Sequence, residues 1–157
     1  MAIIRDLTPG NNILPMDWEK GIASRVSNAA YSTSPGGIKN MRKKEIGIAF
    51  IVDVTVMLGT NLLLKLQHGD TAVTATTDIT DAGLSMSALP GPGMFGAKGT
   101  VTSASGVFTI TKVGKYALFI SGNLYKQYMG WAWQTNGGGA TFSISGYATG
   151  PNLPISS

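Results

Sequence analysis

The chain has 157 residues, enough for one domain that buries roughly 70% of the surface its unfolded form exposes, and too few for two. Charged side chains make up 13% and apolar ones 43%, which excludes a disordered tail, while 21 glycines leave a surface that leans on Ser, Thr, Asn, Gln and Gly. The absence of cysteine excludes a disulfide framework and any thiolate metal site, and a net charge of +4 permits an anionic partner without requiring one.

The opening MAIIRDLTPGNN sets Arg5 and Asp6 where a secretory signal needs an unbroken apolar run, so no signal peptide is expected. Residues 1–45 carry seven basic and four acidic side chains, with KNMRKK at 39–44 the one dense cluster. Between them, LTPGNNILPMDWEKGIASRVSNAAYSTSPGGIKNM mixes Pro, Gly, Asn and Ser with isolated apolar residues and sustains no period. It reads as an extended, mostly irregular N-terminal arm, with at most a short helical turn at PMDWEKGIAS, and a chain of that length is expected to lie against something.

From residue 46 the pattern turns to β. IAFIVDVTVM puts Ile48, Phe50, Val52, Val54 and Val56 on one face and Asp53 and Thr55 on the other. The two polar residues, and a length short of the ~20 apolar residues a spanning helix needs, make this a buried strand with no membrane role. NLLLKLQHG sets Leu62, Leu64 and Leu66 opposite Leu63, Lys65 and Gln67, and the intervening LGTN is expected to pair the two strands as a hairpin. The Thr-, Ala-, Gly- and Pro-rich stretch 70–100 reads as a long connection crossing between sheets and as a contact loop. Beyond it, Phe108 and Ile110, then Tyr116, Leu118 and Ile120, mark inward faces. MGWAWQT and ATFSISGYAT, joined by NGGG, are expected to form a second hairpin. Short strands with glycine turns define an all-β fold: an antiparallel, jelly-roll-like β-sandwich over 46–157, preceded by the arm at 1–45.

Chemistry is sparse. GPGMFGAKGT resembles a phosphate-binding loop, but Ala97 separates Gly96 from Lys98, Gly99 stands where Ser or Thr belongs, and a strand is expected next instead of a helix. His68 is the only histidine, and Asp70, Asp78 and Asp81 lack the dense alternation of a calcium loop, so turn and cap roles are expected and no metal or cofactor. No G-x-S-x-G elbow and no favoured carboxylate pair is present, and the protein is read as a non-enzyme. KNMRKK has no interleaved aromatics, which speaks against nucleic acid. Trp131 and Trp133 share a strand face and follow Tyr125 and Tyr128; exposed, they would stack on sugar rings, and buried, they would fill the core or an interface.

The runs VTVMLGTNLLLKLQHGDTAVTATTDITDA, GKYALFISGNL and ATFSISGYATGPN resemble the small β-sandwich proteins that decorate or cement tailed-bacteriophage heads, over roughly residues 46–152. The arm and the LSMSALPGPGMFGAKG insertion are not covered. That resemblance implies a virion structural protein on the capsid surface, made in the host cytoplasm, commonly a homotrimer, which bridges major capsid protein subunits against internal genome pressure. Candidate contacts to capsid or sister subunits are Trp18, Lys39, Arg42, Lys43, Lys44, Met94, Phe95 and Lys98. The alternatives are a carbohydrate-binding or adhesion module using Tyr125, Tyr128, Trp131 and Trp133, or a neck or tail adaptor.

Overall fold

In the computed structural model, residues 13–19, 25–26, 30–33, 37–41, 47–73, 75–80, 84–90 and 100–149 are described. They form strands and no helix: β1 (Ile13–Glu19), β2 (Ser32–Thr33), β3 (Lys39–Asn40), β4 (Gly47–Met57), β5 (Asn61–Gly69), β6 (Thr77–Asp78), β7 (Ser85–Leu89), β8 (Thr100–Thr102), β9 (Val107–Ile110), β10 (Gly114–Ser121), β11 (Tyr128–Asn136) and β12 (Ala140–Thr149). One sheet runs β1-β12-β4-β10-β7-β8; the other runs β2-β11-β5-β6, with β3 also on β11 and β9 also on β5. All pairings are antiparallel, and the protein is a β-sandwich, as the alternation of apolar residues requires.

The core lies between the sheets. Ile48, Phe50, Val52 and Val54 of β4, Leu118 and Ile120 of β10, and Phe142 and Ile144 of β12 meet Leu62, Leu64 and Leu66 of β5, Phe108 and Ile110 of β9, and Trp131 and Trp133 of β11. Two aromatic contacts join the layers. Trp131 meets Phe50 edge-on at 5.0 Å and 90°, and Trp133 meets Phe142 at 5.5 Å and 69°. Val56, expected to point inward, is exposed. The register between β4 and β12 shifts by one residue at Thr141/Phe142, so Val54 faces Phe142 but Val56 faces Thr141, and the bulge ends the alternation.

Neither expected hairpin forms. β4 and β5 lie in different sheets, as do β11 and β12, so each connection is an arch that carries the chain across the sandwich. All four strands have an apolar face to bury, and divided between the two layers they bury those faces against each other. The arches run side by side, bonded from Leu58 N–H to Gly139 O at 2.8 Å and from Thr60 N–H to Asn136 O at 2.7 Å. The approach is close enough to require glycine, since a Cβ on Gly59 would sit 2.3 Å from Asn136 O and 2.8 Å from Gly138 N.

The stretch read as an irregular arm contributes paired strand. Residues 15–19, expected as a helical turn, belong to β1, which runs beside β12 from Ile13↔Thr149 to Glu19↔Ile144. Arg25 bridges to Ala140 at the start of β12, and on the free edge of β11 Ser32 pairs with Trp133 and Lys39 with Met129, with Met41 N–H bonded to Gln127 O just before that strand. Met41 is fully buried. These short pairings cover edges that β11 and β12 would otherwise expose, and isolated apolar residues without a period suffice because each segment supplies only a few ladder bonds.

The connection after β5 crosses between layers as expected, from β6 to β7, but these two strands interrupt the stretch expected to be loop. Residues 91–99 lie outside the described residues. The strand expected after them is present as β8.

Candidate partner-binding surfaces

Each sheet has one face toward the core and one away from it, and the two outer faces differ in chemistry. On the β5 sheet, Lys65 donates to Asp78 at 2.8 Å, Gln67 donates to the same carboxylate at 2.7 Å, and the Lys65 ammonium lies 4.3 Å from the Tyr31 ring centroid. Burial pushes the Asp78 carboxyl up, yet the hydrogen bonds from Lys65 and Gln67 and the ammonium charge outweigh it and hold the group below its usual range. Lys65 is raised, chiefly by its hydrogen bond to Asp78. Tyr31 is raised by burial. The cluster ties the N-terminal segment to β5 and β6.

That pair makes stability depend on pH. Asp78 has a depressed pKa in the folded state, so its contribution is complete above the unfolded value of about 3.9 and is lost as pH falls through the lower folded value. Asp78→Asn is expected to cost about 1 kcal/mol at pH 7, a gap from wild type that narrows below pH ~4. Urea titrations of both proteins from pH 7 to pH 2.5 measure it; a gap of constant size would show that the ion pair contributes nothing.

On the β4 sheet, the outer face across β10, β4 and β12 is mostly apolar or small. The register aligns Phe119, Ala49 and Tyr147 in one row across β10, β4 and β12, and Ser87, Ala117, Ile51 and Ser145 in the next across β7, β10, β4 and β12. Phe119 is 59% exposed and Tyr147 40%. The Phe119 ring lies over Gly47, where an added Cβ would fall 2.6 Å from its Cζ. Beside it an open groove of about 390 Å³ is lined by Ala49, Ser85, Ser87 and Ala117 among others. On β4 and β10 the charged pair Lys115 and Asp53 lies 3.8 Å apart at one end of this face, and at the β1 edge Asp17 is in register with Ser145. The sequence reading followed inward positions and missed this face. Its signal was available, because the outward positions 49, 51, 117, 119 and 147 are apolar where a solvated sheet face would alternate with polar residues.

The residues singled out from the sequence are dispersed. Trp131 and Trp133 are 0% and 6% exposed, so the indoles form no stacking platform and fill the core instead. Tyr125 and Tyr128 are half-buried, with Tyr125 packed against the core. Trp18 stands at the register shift between Asp17 and Glu19 of β1, and half-buried Lys39 lies on β3. Arg42, Lys43, Lys44, Asp81, Met94, Phe95 and Lys98 lie outside the described residues. His68 Nδ1 accepts from Lys126 N–H at 3.3 Å, and the Lys126 ammonium meets Asp70 at 2.8 Å. Asp70 and Asp78 are thus each paired with a lysine, and no group of three metal-ligating side chains occurs among the described residues.

No family model matches the chain, and comparisons with curated proteins and with solved structures return no match.

Proposed function

We propose that the chain is a virion structural protein, a decoration or cement protein that binds the outside of a tailed-bacteriophage head and stabilises it by bridging major capsid protein subunits. The observation that carries this reading is the open apolar face of the β4 sheet, on an otherwise charge-poor sandwich. An exposed apolar face bordered by polar residues serves protein contact more readily than catalysis. The resemblance of residues 46–152 to head-decoration proteins supplies the kind of assembly. The basic cluster at 39–44, with Lys39 on an outer strand, is suited to an acidic surface on the capsid. The carbohydrate-binding alternative loses its support, since the two indoles it relied on are buried.

Co-sedimentation with undecorated heads tests the proposal. Saturable binding at a fixed ratio is expected, with heads that withstand higher temperature. Reversing the charges of Lys39, Arg42, Lys43 and Lys44 together is expected to weaken binding more than tenfold at low salt and less at high salt. Absence of binding to heads, or binding to tails alone, would overturn the assignment.

A further inference from the structure

We infer that the arch end of the sandwich is a lipid-contact tip, which seats reversibly on an anionic bilayer with Val26, Leu58 and Val113 at headgroup depth and Arg25 and Lys112 against phosphate. This goes beyond the capsid reading and concerns a different part of the molecule, so vesicle binding and head binding are separate results.

Topology gathers the tip. A third crossing, residues 111–113 between β9 and β10, lies beside the two arches, because β9, β5 and β11 are neighbours in one sheet and β10, β4 and β12 in the other, in the same order. Each piece is pinned. The Tyr116 hydroxyl donates to Lys112 O at 2.7 Å, Leu58 N–H donates to Gly139 O at 2.8 Å, and Arg25 and Ala140 exchange backbone bonds at 2.8 and 3.0 Å. That antiparallel bridge sets Val26 beside Gly139, two strand spacings or about 10 Å from Leu58. Four of the seven exposed large apolar residues described, Val26, Val56, Leu58 and Val113, thus share one end, and Leu58 is 69% exposed.

Charge is the second argument. Arg25 immediately precedes Val26, and Lys112 immediately precedes Val113. The nearest acids among the described residues are set back along the strands: Asp53, which meets Lys115 at 3.8 Å, and Glu19, in register with Ile144. Basic groups beside aliphatic ones are what an anionic headgroup layer attracts.

Area decides between a bilayer and a protein. The tip spans about four strands 4.8 Å apart and the ~10 Å between layers, a footprint of about 200 Å². A specific protein interface begins at about 500 Å² a side. A bilayer sets no such threshold, since each inserted aliphatic group and each nearby basic residue adds to a reversible affinity. The tip lies at the opposite end of β11 from Lys39, so a capsid contact through the basic cluster leaves it accessible.

Co-sedimentation with vesicles tests the inference. Binding is expected to vesicles of equal parts phosphatidylglycerol and phosphatidylcholine, not to phosphatidylcholine alone, and is expected to weaken as salt rises. Leu58→Ser is expected to weaken it about tenfold and Lys112→Gln about fivefold. Val73→Ser, at an exposed position beyond the far end of β5, leaves it unchanged. Circular dichroism shows whether each variant folds. The chain has no cysteine, so Leu58→Cys offers a single attachment point for an environment-sensitive fluorophore, whose emission is expected to shift to the blue on anionic vesicles, unlike the same label on Val73→Cys. No binding to anionic vesicles, binding that Leu58→Ser leaves unchanged, or a Leu58→Cys label that stays in water would overturn the inference. The second of these would mark a charge-only contact of the kind an acidic protein makes.

Discussion

Trp131→Ala is expected to destabilise the protein by about 3–5 kcal/mol, the largest effect of any single truncation. Trp131 is the largest of the fully buried side chains, and it joins the layers through its edge-on contact with Phe50. Removing it opens a cavity between the layers, where neither sheet can collapse without disturbing the β11–β5 ladder on one side or the β4–β12 ladder on the other. The indole N–H makes no hydrogen bond, and neither does that of Trp133. Trp131→Phe therefore gives up volume but sheds a buried donor, and is expected to cost clearly less than alanine. Urea unfolding followed by circular dichroism measures both. If the alanine variant lost less than about 1 kcal/mol, the inter-sheet role of the indole would be wrong.

Gly59→Ala is expected to cost about 3 kcal/mol, at the upper end of what overpacking does. The added methyl meets backbone at every contact: Asn136 O at 2.3 Å, Gly138 N at 2.8 Å and Gly138 O at 2.9 Å. Backbone cannot rotate aside as a long side chain can, so the arches must separate and weaken the Thr60 to Asn136 hydrogen bond. Gly37→Ala is the matching control. It has a φ of +66° but nothing within 4 Å, so only left-handed strain applies, about 1 kcal/mol. Comparable losses at the two sites would mean that the arches are not tightly apposed. A much larger loss at Gly59 is the expected outcome in thermal or urea melts.

The contrast between these glycines shows how much of the fold local sequence conveys. Gly59 stands in a short LGTN segment whose local sequence is that of an ordinary turn between two alternating strands. What makes it an arch is its neighbour about 80 residues away, and a two-residue window of turn chemistry contains no information about that neighbour. The N-terminal strands were equally hidden. β2 and β3 are two residues each, held by the edge of β11 rather than by any propensity of Ser32–Thr33 or Lys39–Asn40. The same holds for the candidate surface: Phe119, Ala49 and Tyr147 are 28 to 98 positions apart in the chain and become one row only through the registers of β10 and β12 on β4.

By itself the sequence determined the all-β class and, Val56 apart, the inward faces of β4, β5, β9 and β10, because each follows from a period of two along a few residues. Tertiary structure alone decided that two expected hairpins are arches, that Trp131 and Trp133 are core, and that one sheet face is left apolar and open. Those outcomes depend on which strands pair and which layers meet, and pairing is settled by the burial of apolar area summed over the whole chain, a quantity that no local stretch of residues contains.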